Sequence, residues 1–251
     1  MKDKLLKIIN TRQFHISMVV LIMFCIIMIV GMVTLKYNVE GDSNLPFYLS
    51  KISIISNIEG TDNKEDTENK WSLSVNQNND IYLYVKKNDK YKNTEVIDSI
   101  ILDNFNIIKN NSKGEIKLYK PDGAMENTIF KNSEDNETNQ IEYAGSMDSS
   151  IKDLKIANQG GLVVFRYAVN NIGTYVSNDD DQINHSELLK KLGINNEEIK
   201  FQVSFDMYIN LNSDKKYKST INLELPVNDV VNGGVQSFED EELTDVMFKR
   251  I

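Results

Sequence analysis

From Ile16 to Leu35 the chain reads ISMVVLIMFCIIMIVGMVTL, twenty residues without a charge. At ~1.5 Å rise per residue, a helix of that length spans ~30 Å, the thickness of a bilayer's hydrocarbon core. It holds no proline and one glycine, Gly31, so a continuous helix satisfies every backbone group internally, which is the condition for crossing lipid. A helix buried in a soluble core is two-faced, whereas this stretch is apolar all round. It predicts a transmembrane helix over 16–35, and the rest of the chain must fold on one side or the other of it.

The flanks predict the orientation. Residues 1–15 form a basic tail with Lys2, Lys4, Lys7 and Arg12 against the single acid Asp3, while Lys36, Glu40 and Asp42 follow the span. The positive-inside rule puts the tail in the cytoplasm and the C-terminal portion outside the cell membrane. The exit, Val33-Thr34-Leu35-Lys36-Tyr37, offers no small-x-small cleavage site, so an uncleaved signal anchor is expected. Cys25 lies mid-span behind bulky Phe24, which does not fit a lipoprotein signal; it reads as a small hydrophobe. A linker over 36–50 then leads to an outer domain over 51–251.

That domain reads as β. In Lys200–Asn212, Phe201, Val203, Phe205, Met207, Ile209 and Leu211 alternate with polar residues over six consecutive matches, the mark of a half-buried strand. Asn212-Ser213-Asp214 turns into a second alternating run, Tyr217–Leu225, stopped by Pro226, and the two form an antiparallel hairpin. Further strands are expected at Lys51–Ile58, Trp71–Val75, Ile81–Lys86, Val96–Ile108, Glu115–Lys120, Leu162–Val169 and Gly173–Val176, with Asn76–Asp80 (NQNND) as a turn. Gly160-Gly161 and Gly233-Gly234 are turn signals. One helix is expected after Asn184, with Leu188, Leu189 and Leu192 on its apolar face and Gly193 at C′; a second helical turn fits Asn195–Ile199. About nine strands and one inserted helix predict an antiparallel β-sandwich of immunoglobulin-like general architecture, with α+β as the alternative. Two polar stretches, Glu59–Lys70 and 121–150, read as loops.

Composition narrows the chemistry. A net charge of −9 lacks the basic face that nucleic acid requires. One cysteine excludes an internal disulfide framework, and no thiol lies outside the span. Outside the span only His185 supplies an imidazole, and it reads as a polar residue beside a helix start. The metal candidate is a calcium set, Asp179, Asp181, Asn184 and Glu187, but the position needing glycine in an EF-hand is Asn184. An acidic loop capping the helix is the preferred reading, and no other cofactor is expected. Tyr82, Tyr84, Tyr91 and Trp71 are candidates for a carbohydrate-binding face or for cross-strand packing. Arg166, the one charge in LVVFRYAV, is either buried against a carboxylate or set at the sheet's rim.

The basic N-terminus, the single anchor, the junction YNVEGDSNLPFYLSKISIIS, the segment NQGGLVVFRY and the terminal MFKR resemble an uncharacterised family of single-pass membrane proteins of low-GC Gram-positive bacteria. The resemblance implies a cell-envelope location and carries no catalytic residues. The expectation is a membrane-anchored, non-catalytic β-domain that binds an envelope protein or a ligand. The rivals are a carboxylate-dependent wall-glycan hydrolase and a calcium- or ligand-sensing domain.

Overall fold

The computed structural model describes residues 12–38, 45–63, 70–122, 130–148, 154–178, 183–241, 243 and 246–251. Helix α1, Arg12–Asn38, contains the apolar run and is the one described helix long and apolar enough to cross a membrane; none of His15–Met32 is buried.

The rest is a two-sheet sandwich. Its first strands are β1 (Phe47–Asp62), β2 (Lys70–Lys87), β3 (Ile97–Lys109), β4 (Glu115–Tyr119), β5 (Ile141–Gly145) and β6 (Lys155–Ile156). After them come β7 (Gly160–Asn178), β8 (Phe201–Leu211), β9 (Lys216–Leu225), β10 (Gln236–Asp240) and β11 (Lys249–Arg250). One sheet runs β10-β1-β2-β7-β4 and the other β11-β9-β8-β3-β5-β6. Every ladder is antiparallel except the short β5–β6 pair. Among the described residues the domain's helical content is three single α turns, α2 (Leu188–Lys191), α3 (Asn196–Ile199) and α4 (Val230–Gly233), and two 3-10 turns, Glu134–Asn136 and His185–Glu187, so the α+β alternative falls away.

The sheets are joined by rings. Phe165 of β7 meets Phe205 of β8 edge-on at 5.2 Å, Phe105 stacks on Phe205 at 5.4 Å, and Tyr167 meets Phe201 at 6.0 Å. Each such side chain stabilises the fold by roughly 1.5–3 kcal/mol through burial alone. The Tyr167 hydroxyl has no hydrogen-bond partner there, and burial pushes its pKa up.

The hairpin β8–β9 follows the predicted bounds within a residue, from Phe201↔Leu225 to Asn210↔Lys216. Gly193 stands at C′ with φ 70, and the Ile194 N–H reaches back to Leu189 O. The reciprocal capping box belongs to the next turn, where Asn195 and Glu198 exchange bonds. Gly160 turns the chain into β7 at φ 111, where a Cβ would stand 2.5 Å from Val85 O.

Several expectations fail, among them the linker over 36–50, whose last four residues already belong to β1. NQNND is no turn but the middle of β2, which runs unbroken from Lys70 to Lys87. Gln77 and Asn79 point into the sandwich fully buried, and their amides bond each other at 2.7 and 3.1 Å. Ser56 Oγ donates to Asn79 Oδ1, and Asn79 Nδ2 donates to Tyr167 O. A polar stretch thus crosses the core because its hydrogen bonds close internally. Likewise Leu162–Val169 and Gly173–Val176 are one strand, kinked at a bulge where Asn171 takes φ 55 and its N–H donates to Asn76 Oδ1. The stretch read as a loop over 121–150 contains β5, and β1 runs on past Ile58 to Asp62.

Candidate functional site

Three partly buried charge pairs lie in the domain. Asp80 and Arg166 stand opposite each other on β2 and β7, and the guanidinium clasps the carboxylate through Nε at 2.5 Å and Nη2 at 3.0 Å. Arg166 Nη1 also donates to Asn132 Oδ1, and buried Phe130 lies against the guanidinium at 4.8 Å. Of the two readings of Arg166, pairing with a carboxylate holds, at a half-buried position on the outer face of the sheet. Glu95, before β3, accepts from Ser213 Oγ at 2.6 Å and Lys215 Nζ at 2.5 Å. Burial alone would lift the Glu95 carboxyl, but those bonds and the Lys215 charge hold it below its ordinary value. Asp206 is held down against burial in the same way, by Thr220, Lys218 and Asn104.

A polar cleft of about 290 Å³ lies beside Asn132, where Asn76, Tyr119 and Asn170 meet Lys117. Lys117 contacts both Glu115 and Glu137, at 3.9 and 2.9 Å, and Asn170 Nδ2 donates to Tyr119 OH at 2.7 Å. Asn132 bonds Asn78 and Arg166, Asn76 bonds Thr61 and the Asn171 N–H, and Lys117 holds the two carboxylates, while Asn170 Oδ1 is buried without a partner. Tyr119 is the cleft's one ring and is buried, so no open aromatic platform faces it.

A second cleft, of about 630 Å³, opens where the two sheets part at the β9 and β10 edges. β9 is flanked by β8 on one side and by β11 for only two residues on the other. Ile251 N donates to Lys216 O, and Lys249 stands opposite Lys218, so the main-chain groups of 216 and 218 face β11. Antiparallel alternation then turns the N–H and C=O of Thr220, Asn222 and Glu224 to the same edge. No described strand pairs there. Below this edge the cleft has an apolar floor, with Ile54 and Leu223 at its base and Leu243 and Val246 above. Phe238, on the core side of β10 opposite Ile54, stays 43% exposed.

The residues singled out in the sequence are scattered. Asp179 and Asp181 lie outside the described residues; Asn184 caps the turn at His185–Glu187, accepting from Ser186 N and Oγ. Among the described residues no three His, Cys, Asp or Glu side chains gather for a metal ion. His185 Nδ1 accepts from Gly60 N at 2.9 Å, tying the helical turns to β1. The four aromatics do not gather on one surface: Tyr82 and Tyr84 share the outer face of β2, where Lys51 covers Tyr84, but Trp71 packs on Tyr175 and Tyr91 accepts from Lys215. The sequence reading missed the open edge. Its one local signal is Pro226 ending a strand, and which strand lies at an edge depends on the order of the whole sheet.

No family model, curated protein or solved structure matches the chain.

Proposed function

We propose that this chain is a single-pass cell-membrane protein, with its N-terminus in the cytoplasm and its β-sandwich outside, that works by binding a partner protein in the envelope. The orientation rests on the basic tail before α1 and the acidic excess after it: 24 basic against 36 acidic residues over 36–251. The observation that carries the binding reading is the cleft between β9 and β10, which combines an apolar floor, from which the Phe238 ring stays exposed, with main chain that pairs to no described strand. Such a surface offers adhesion without an activated nucleophile. The charges inside the domain support the same reading, because Asp80, Glu95 and Asp206 are each held by a cation.

The test is a crosslinking pulldown of the full-length protein from its native membrane. The expected result is a specific partner in a stoichiometric amount. A preparation without a partner contradicts the reading. So does turnover of a wall glycan that is lost on a single carboxylate substitution.

A further inference from the structure

We infer that the open half of β9 is a docking edge for an extended, basic and alternately apolar segment of the partner, which binds as an added strand. The inference rests on the binding reading above and specifies its mode. An exposed sheet edge is normally blunted by a charge, a proline, a bulge or a covering element. β9 is covered by β11 at Tyr217 and Lys218 and stopped at Pro226, and between those limits no described strand pairs with it on that side. Thr220, Asn222 and Glu224 there present a run of donors and acceptors that only another extended backbone satisfies in full.

The side-chain pattern agrees with that backbone. Ile221 and Leu223 face the sandwich interior, whereas Thr220, Asn222 and Glu224 face solvent. A strand laid along this edge has one set of alternate residues over Phe238 and Leu243 and the other in water. Apolar residues at the inner positions cover the Phe238 ring and fill the gap between the sheets.

The partner's charge follows from the domain's acidic excess, 24 basic against 36 acidic residues over 36–251. At the rim itself Glu224 is held by Lys200 at 2.5 Å and Gln202 at 2.8 Å, and Glu239 by Lys51 at 3.1 Å. With the domain's net charge strongly negative, a second copy meets like charge, and a basic segment meets opposite charge.

The closing experiment uses the full-length protein in detergent micelles and a short synthetic peptide that alternates valine with lysine. Its controls are a scrambled peptide of identical composition and a version with glutamate in place of lysine. Binding is read by fluorescence anisotropy, and hydrogen exchange of the β9 segment by mass spectrometry. The alternating peptide is expected to bind and to slow exchange over Thr220–Glu224, with both controls weaker by about tenfold or more. Asn222→Pro, which removes the central outward donor, is expected to abolish binding. Because proline in a strand threatens folding, Phe238→Ser provides the separate check, with weaker binding at an unchanged melting temperature. Equal binding of alternating and scrambled peptides overturns the inference, as does binding with β9 exchange unchanged, or no binding of any peptide. Protection of β9 that grows with protein concentration alone assigns the edge to a second copy and overturns it too. None of these results touches the binding reading, which fails on its own tests, the pulldown and the turnover of a wall glycan.

Discussion

The sandwich has two lateral edges, and they are finished in opposite ways. On the side of β4, β5 and β6, side chains complete what the strands leave undone. β4 reaches along β7 only to Arg166, and beyond it the hydroxyl of Tyr143 both donates to Val164 O at 2.8 Å and accepts from Val164 N at 3.0 Å. Phe130 seals the Asp80–Arg166 pair on the outer face of the same sheet. On the side of β9 and β10, no described strand pairs with the outward main chain of Thr220, Asn222 or Glu224, and the Phe238 ring stays 43% exposed. Among the described residues, only one of the two edges is finished by side chains. Finishing an edge costs no more than a tyrosine and a short loop, which makes the bare edge a feature to be explained by what binds there.

The contrast implies that substitutions on the closed side are expensive and those on the open side are cheap. The largest effect is expected from Asp80→Ala, which strands a guanidinium in a site where the pair is 11% and 15% exposed. Losing one member of such a pair costs about 3–5 kcal/mol, to be read from urea unfolding. A loss under ~1 kcal/mol would place the pair among surface salt bridges.

Tyr143→Phe comes next. It leaves the Val164 N–H and C=O without their partner, at about 1–3 kcal/mol. Tyr167→Phe sharpens the point, since it removes a hydroxyl that bonds nothing, and it is expected to be neutral or slightly stabilising. Equal costs for the two variants would mean that the Tyr143 hydroxyl does not serve the strand edge.

The same groups set the pH limits. Burial pushes the Tyr143 hydroxyl up to about 12 from 10.0. Its contribution is complete below pH 10 and is lost as pH rises toward that value. Tyr143→Phe is thus expected to flatten the alkaline limb of a stability–pH curve. At the acid end, Glu95 and Asp206 are held below their ordinary values, 4.5 and 3.8. Their contributions are present above those values and are lost as pH falls through the lower folded ones. A Glu95→Gln variant is expected to be less stable at neutral pH and to lose less on acidification. An acid limb as steep as that of the parent would show that the Glu95–Lys215 clasp does not govern it.

The smallest effect belongs to the open edge. Thr220→Ser or Asn222→Ser is expected to change stability by no more than about 0.5 kcal/mol, as surface positions do. A cost above ~2 kcal/mol would reveal a structural role for the bare strand.

How much of this was legible in the sequence depends on where each signal is held. β8 and β9 could be read to within a residue because one face is buried and the other wet, so period two appears directly in the letters. The apolar helix was legible because its run is long and unbroken, and α1 exceeds the predicted 16–35 by only a few residues at each end. The centre of β2 was not, because Gln77 and Asn79 replace apolar burial with hydrogen bonds to each other, and composition then imitates a turn. β5 was hidden by its length of five residues within a polar stretch. Arg166 left two readings open because its partner Asp80 lies 86 residues away and only strand pairing brings them together. The candidate site was the least legible part. An unpaired edge is a property of sheet order, and no short window of sequence records it.

The most direct test of the account compares the two edges in the native membrane. A photoreactive residue is placed at Asn222 on the open edge in one full-length variant and at Glu137, beside β4, in another, and each is irradiated in intact cells. The account predicts a crosslinked partner protein from position 222 and none from position 137. Crosslinking from both positions alike, or from 137 alone, would contradict it.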